Sequence, residues 1–208
     1  MSGADGLFIT FEGGDGSGKT TQAELLGAWL AEQGRAVVRT REPGGTAFGA
    51  DVREIVLHSR GDIDPRAEAL LYAADRAHHI ATIVRPALDR GDVVLQDRYI
   101  DSSVAYQGAG RVLDPEAVRG ISAWATGGLA PQLTVLLDLD AATARGRLDA
   151  ARTRYDRLEA EAAEFHERVR EAYLAIAAAE PGRFLVVDAA LPVDEIAALV
   201  RDRVAELL

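Results

Sequence analysis

The sequence contains no cysteine, and it contains one lysine, Lys19, beside 22 arginines. The missing cysteine excludes disulfides, cysteine nucleophiles and cysteine-based zinc sites, and it says little about compartment. No apolar stretch approaches the ~20 residues that a membrane-crossing helix needs. The opening "MSGADGLFITFE" lacks the basic start and apolar run of a signal peptide. Positive charge is also in deficit. The formal net charge is −10, and such a surface repels polyphosphate backbones, which argues against general nucleic-acid binding and for local arginine clusters at most. There is no low-complexity linker and no internal repeat. The expectation is a soluble, cytoplasmic protein of one domain spanning residues 1–208, with 48% apolar residues to build a substantial core.

What is present is an alternation of two patterns. Short apolar runs rich in β-branched residues occur at Leu7 to Phe11, Ala36 to Thr40, Val93 to Asp97, Leu133 to Leu139 and Phe184 to Ala189. They read as five strands, and their continuous apolarity suggests burial on both faces, as in a parallel sheet. The stretches between them are long enough for helical crossovers, so the fold class is α/β with one parallel sheet flanked by helices. "TTQAELLGAWLAEQG" reads as a helix stopped by Gly34. Residues 67–91 read as one long helix, kinked or ended near Pro86. Residues 147–180 read as an arginine- and glutamate-rich helical stretch whose charges form a solvated face with i,i+4 pairs.

The lone lysine lies in "FEGGDGSGKT". Gly13, Gly18, Lys19 and Thr20 satisfy G-x-x-x-x-G-K-[ST] between a strand and a helix, which is the context that gives the pattern meaning. Glycines let successive backbone N–H groups face one anion, and the following helix adds its positive end. Lysine reaches the β- and γ-phosphates, and the Thr20 hydroxyl is placed for Mg²⁺. A compact charge on a flexible stem fits inside such a loop where the broad guanidinium fork does not. The loop therefore implies a nucleoside triphosphate. A GTPase would need a second lysine in N-K-x-D. A protein kinase would need a strand lysine and H-R-D; none of these is present. An ATP-driven assembly switch and a small-molecule kinase remain. Two segments that follow strands, "REPGGT" (Arg41 to Thr46) and "DRYIDSSVAYQG" (Asp97 to Gly108), lie where an acceptor would bind, outside the carboxyl ends of parallel strands.

Taken together, "EGGDGSGKTTQ", "TREPGGT", "LLYAADRA", "DRYIDSSVAYQG" and "EFHERVREAYL" resemble the thymidylate kinase family, in order and over nearly the whole chain. The resemblance implies a three-layer P-loop kinase fold with a five-stranded parallel sheet and a helical lid at about residues 143–158. It implies transfer of the ATP γ-phosphoryl group to dTMP, giving dTDP for dTTP synthesis, with Mg²⁺ and as a homodimer. ATP would lie on Gly13, Gly14, Asp15, Gly16, Ser17, Gly18, Lys19, Thr20 and Thr21, with Thr20 and Asp97 toward the metal. Asp15 would face the acceptor 3′-hydroxyl, and Arg98 would bridge donor and acceptor phosphates.

The resemblance also implies that Arg76 grips the dTMP phosphate and that Tyr72, where the family usually has Phe, stacks on thymine. Arg53 and Gln107 would read the base edge. Ser102, Ser103 and Tyr106 would line the sugar pocket, with Tyr106 crowding a ribose 2′-hydroxyl. Pro43 and Gly44 would shape its wall, with Glu42 ordering the arginines. One branch of the family carries an arginine inside the loop where this chain has Gly16. The cation is then expected from the lid, where Arg147, Arg152, Arg154 and Arg157 cluster, with Arg152 or Arg157 acting. His166 is read as packing near the donor-side helix. His58, His78 and His79 are read as helix surface or partial core. Adenine is expected near Ala189 and Ala190. A P-loop ATPase switch, and a nucleoside or nucleotide kinase with another acceptor, are the competing readings.

Overall fold

The computed structural model describes residues 6–59, 61–151 and 155–208. Along the chain run β1 (Leu7–Glu12), α1 (Lys19–Glu32), β2 (Val37–Arg41), α2 (Ala47–His58) and α3 (Pro65–His79). A π-helical turn (Ile80–Val84), α4 (Arg85–Asp89), β3 (Val93–Asp97), α5 (Ile100–Ser103), a second π-helical segment (Val104–Gly110) and α6 (Pro115–Thr126) follow. The chain continues through β4 (Leu133–Asp138), α7 (Ala141–Ala151), α8 (Ala163–Ala179), β5 (Phe184–Asp188) and α9 (Val193–Ala205). The strands form one parallel sheet in the order β2-β3-β1-β4-β5. β1 is therefore central, with Phe11 beside Asp97 of β3 and Glu12 beside Leu136 of β4. All five strands point the same way, so the loops after β1, β2 and β3 share one edge of the sheet.

The period of two along β1 divides its side chains between two cores. Leu7, Ile9 and Phe11 pack with Leu26 and Leu30 of α1 and with Ile196 and Val200 of α9. Phe8 turns the other way, onto Ile80, Val84, Val94 and Tyr99. Each such fully buried side chain stabilises the fold by roughly 1.5–3 kcal/mol. A third cluster joins Tyr72 of α3, Tyr106, and Phe165, Val169 and Tyr173 of α8. Thr10 and Glu12 share the direction of Phe8 and are buried as well. The Thr10 hydroxyl bonds its neighbour Thr134 across the strands at 2.8 Å.

Local chemistry sets the helix ends. Asp64 caps α3 by accepting from Arg66 N and Ala67 N, with Pro65 in the first turn. Thr46 caps α2 by accepting from Gly49 N at 2.9 Å. Gly34, at φ 76°, takes the left-handed conformation that ends α1.

Two expectations are corrected, and one is decided between its alternatives. The helix over 67–91, expected to kink or end near Pro86, does not end there; it continues to Asp89 through the π-helical turn at Ile80–Val84. Proline lacks an N–H and crowds the carbonyl four residues earlier, and a widened turn absorbs both defects. The stretch 147–180 is two helices, α7 and α8. Between them Asp156 accepts from Leu158 N and Glu159 N, and Asp156 N donates back to Glu159, which closes a turn. Finally, β2 is only half-buried, because it is an edge strand and carries Arg39 and Arg41 among its five residues.

Gly49 in α2 provides a test of the packing. A Cβ there would lie 2.2 Å from Asp75 Oδ1 and 3.2 Å from the Gly44 backbone. Glycine to alanine inside a helix ordinarily gains about 0.5–1 kcal/mol. Gly49→Ala should instead lower stability by about 1–3 kcal/mol through overpacking, measured as a drop in the urea midpoint. A higher midpoint would show that α2 is free to move off the 43–45 loop.

Candidate active site

The loop after β1 is shaped by glycines at Gly13 (φ 131°), Gly16 (φ 79°) and Gly18 (φ 95°). A Cβ at Gly13 would sit 2.4 Å from the Leu137 carbonyl oxygen, so no other residue fits. Lys19, the first residue of α1, is buried and donates from Nζ to the carbonyls of Gly14 (2.8 Å) and Gly13 (3.1 Å). Burial, and then the nearby Arg98 charge, lower its pKa against the pull of Asp97 and Asp15. The Thr20 hydroxyl donates to Asp97 Oδ2 at 3.2 Å. Asp97 Oδ1 is buried without a hydrogen-bond partner among the described residues. A hydroxyl and a carboxylate with an unshared oxygen form a donor set suited to a hard cation.

Beside this loop lies a partly open pocket. Asp15, Glu42, Pro43, Arg53, Tyr72, Arg76, Arg98, Ser102, Ser103, Tyr106 and Gln107 all line it. The fold thus brings together residues from five separate segments that the sequence reading had grouped. Leu57, Asp156 and Leu158 complete the lining. A second, open space of about 1020 Å³ lies over Gly16 to Thr21 and Asp97. Asp15, Glu42, Arg53 and Arg98 line both spaces.

Arg98 stands at the junction. It follows β3 at φ 67°, the left-handed region that non-glycine residues seldom adopt. Its Nη2 donates to Asp15 Oδ1 at 2.7 Å and to the Tyr106 hydroxyl at 3.2 Å. Its Nη1 donates to Ser102 Oγ (3.2 Å) and the Tyr173 hydroxyl (3.3 Å). Tyr106 also donates to Asp15 Oδ2 at 3.2 Å. Burial alone would discharge both groups. Instead the Arg98 and Lys19 cations hold the Asp15 carboxyl well below the usual carboxylate range. The surrounding oxygens of Tyr106, Asp15 and Tyr173 raise the Arg98 pKa well above its ordinary value against its burial.

Arg76 forms the cavity's floor. It is 1% exposed, with Nε on Glu42 Oε2 at 2.7 Å, Nη1 on Ser122 Oγ and Nη2 on Tyr99 O and Ser103 Oγ. The other Glu42 oxygen meets His79 Nδ1 at 2.9 Å, and His79 Nε2 meets the Thr40 hydroxyl. His79 is therefore wholly buried, which corrects its reading as surface or partial core. Arg53 donates to Pro43 O. Gln107 donates from its amide nitrogen to Glu68 at 2.9 Å, a buried carboxylate that also pairs with Arg111 and Arg157. Arg157, one of the two arginines expected to act on the transferring phosphoryl group, is held by Glu68 and by the Val56 carbonyl. Arg152 and Arg154 lie outside the described residues. Arg147 reaches Ala189 O at 2.9 Å and Gly16 O at 3.4 Å, beside the donor space. His166 is half-buried on α8, edge-on to Phe165.

Residues missed in the sequence are Glu12, Glu68 and Tyr173. An acid closing an apolar strand directly before the loop was the signal available for Glu12. Glu68 and Tyr173 lie in helical patterns that mark them no differently from surface or core positions.

Comparison with known proteins agrees with this geometry. A family model described as thymidylate kinase matches residues 11–200. The chain is 75% identical over 198 residues to the thymidylate kinase of Leifsonia xyli, covering 95% of this chain and 94% of that protein. It is 54% identical over 203 residues to that of Deinococcus radiodurans, covering 98% of each. The crystal structure of thymidylate kinase from Ehrlichia chaffeensis superposes with a TM-score of 0.78 at 32% identity, covering 96% of this chain and 99% of that one. With its central phosphate loop, its adjoining cavity and these relatives, the chain belongs to the thymidylate kinase family.

Proposed function

We propose that the chain transfers the γ-phosphoryl group of ATP to the phosphate of dTMP, giving dTDP and ADP. The observation that carries this reading is the junction at Arg98 and Asp15, which line both the cavity and the space over the phosphate loop. Two phosphates approaching from those spaces meet at one guanidinium, whose fork suits phosphate oxygens. An ATPase switch has no use for a separate pocket beside the phosphate loop.

The acceptor is already an anion, because its second pKa is about 6, so no strong general base is required. Catalysis rests on alignment and charge compensation. Backbone N–H groups of Gly13 to Thr21 and the start of α1 receive the triphosphate, and Lys19 follows its outer phosphates. Mg²⁺ would be held by Thr20 and Asp97 and, when bound, neutralises charge on the phosphate oxygens. Arg98 and Arg76 hold the acceptor phosphate, and Asp15 accepts from the sugar 3′-hydroxyl. Tyr72 stacks on the base, and Tyr106 crowds a 2′-hydroxyl. Glu68 takes the amide nitrogen of Gln107, so the carbonyl oxygen is left for a base N–H, with Arg53 on the neighbouring edge. Such a pair suits thymine N3–H and O4 and disfavours cytosine.

A lid at about residues 143–158 closes over one domain spanning the chain and excludes water. Within it Arg152 meets the transferring phosphoryl group, supported by Arg147, while Arg157 ties the lid's base to Glu68. Adenine lies toward Ala189 and Ala190. Phe48 and Ile55 on α2 and Leu70 on α3 are large, apolar and exposed, which supports a homodimer through these helices. No helix among the described residues is long and apolar enough to cross a membrane, and a cytoplasmic location fits the reaction.

A coupled assay with dTMP, dUMP, dCMP and AMP should give the highest kcat/KM for dTMP. Preference for another acceptor would replace the substrate, and ATP hydrolysis indifferent to all four would favour the switch. Lys19→Ala should lower kcat by about 100-fold or more while the thermal melt stays cooperative. Arg152→Ala should cut kcat far more than it raises KM for dTMP. Arg157→Ala should do the reverse, and the opposite ordering would return the catalytic role to Arg157.

A further inference from the structure

Glu12 is fully buried and takes no part in the transfer just outlined. Its place in β1 turns it toward α5 and α8, where three donors converge. Tyr99 N donates to Oε1 at 2.7 Å, and Ser102 Oγ (2.6 Å) and the Tyr173 hydroxyl (2.9 Å) donate to Oε2. Each of these donors also controls Arg98. Tyr99 N belongs to the peptide immediately after Arg98, whose φ of 67° is strained and persists only where the surroundings enforce it. The Ser102 and Tyr173 hydroxyls are the two acceptors of Arg98 Nη1. A hydroxyl has one proton and two lone pairs. When both protons point at the Glu12 carboxylate, lone pairs face the guanidinium. A protonated Glu12 would donate one hydrogen itself and turn part of that polarity round.

We propose that Glu12 is a positioning residue for Arg98: as a carboxylate it holds the strained backbone and the two hydroxyls that aim the guanidinium, so turnover requires Glu12 ionised. This rests on the phosphoryl-transfer reading for its kinetic consequence, and on the hydrogen-bond geometry for its structural one. The charged groups around Glu12 are Asp101 from α5, itself paired with Arg183 at 2.7 Å, Arg98 after β3, and Lys19 from α1. The Tyr173 hydroxyl from α8 completes the set. Burial, then the Asp101 charge, push the Glu12 carboxyl up to about 7 against Ser102, Arg98 and Tyr99 N. Glu12 thus gains its proton as pH falls through about 7, and kcat falls with it.

The test is the pH profile of kcat, which reports groups in the enzyme–substrate complex. Wild type should lose kcat on the acid side with a midpoint near 7. Glu12→Gln, which mimics the protonated acid, should lower kcat at pH 8 by about 10- to 100-fold with little change in KM. It should also remove the Glu12 part of that limb, leaving only the acceptor phosphate's own titration at about 6. Tyr173→Phe removes one donor to the charged form while keeping the ring, and should move the limb to higher pH. This variant carries the test if Glu12→Gln does not fold. A crystal structure of Glu12→Gln should show Arg98 displaced from Asp15. Glu12 would be merely structural if Glu12→Gln lowered kcat by one factor at every pH, or left Arg98 in place, or if Tyr173→Phe left the limb unmoved; any of these overturns the inference. An acceptor other than dTMP would overturn the proposed function alone, because the limb and the crystal structure read Arg98 with whichever acceptor is turned over.

Discussion

The ion pair between Arg98 and Asp15 joins the end of β3 to the loop after β1, at 2.7 Å. Taking either charge out of water is costly unless the other is present and the remaining donors and acceptors are filled. That requirement explains the surroundings. Tyr106 bridges both partners, Ser102 and Tyr173 occupy the other guanidinium nitrogen, and Glu12 receives the hydroxyl protons from behind. The backbone pays in strain at Arg98, and the strain is contained by bonds on either side: Arg98 N to Phe11 O, and Tyr99 N to Glu12. Losing one member therefore disturbs geometry as well as charge, at the position where the two substrate spaces meet.

The same rule is repeated around the cavity with different partners. Glu42 stands between Arg76 and His79, and Glu68 between Gln107, Arg111 and Arg157. In both places a buried acid orders forked donors from other elements, so cations face the cavity in a chain whose net charge is −10. Arginine suits these positions because its planar fork serves several acceptors at once. Arg76 alone serves Glu42, Ser122, Tyr99 O and Ser103. The phosphate loop imposes the opposite demand. Its glycine-shaped interior admits a narrow cation, and the chain's one lysine is there, within reach of the loop's own carbonyls.

Patterns of short range were readable in advance. The five strands stood out as β-branched apolar runs, and the loop as glycines at fixed spacing before a lysine. Ten residues carried by the family motifs, and Arg53 outside them, line the one pocket. Errors arose where a remote partner decided. β2 reads as a strand alongside the central ones, yet lies half-buried at the edge because of strand order. The turn at Asp156 breaks a stretch with good helical composition through carboxylate-to-backbone bonds. His79 reads as an ordinary helical histidine until Glu42 and Thr40, more than thirty residues earlier, enclose it.

The sequence by itself determined the layered α/β class and the triphosphate loop, and its resemblance to a known family supplied the residues expected around an acceptor. The first two depend on local periodicity, on backbone freedom at glycine and on residue type. Only the tertiary structure decided which charges are buried together. It put Arg157 on Glu68, and it set Glu12 behind Arg98, with Tyr173 of α8 reaching it from 161 residues away. Desolvation is a property of the assembled interior and has no signature in a stretch of sequence. An acid at the end of a strand thus becomes a buried group near neutrality only once α5 and α8 close over it.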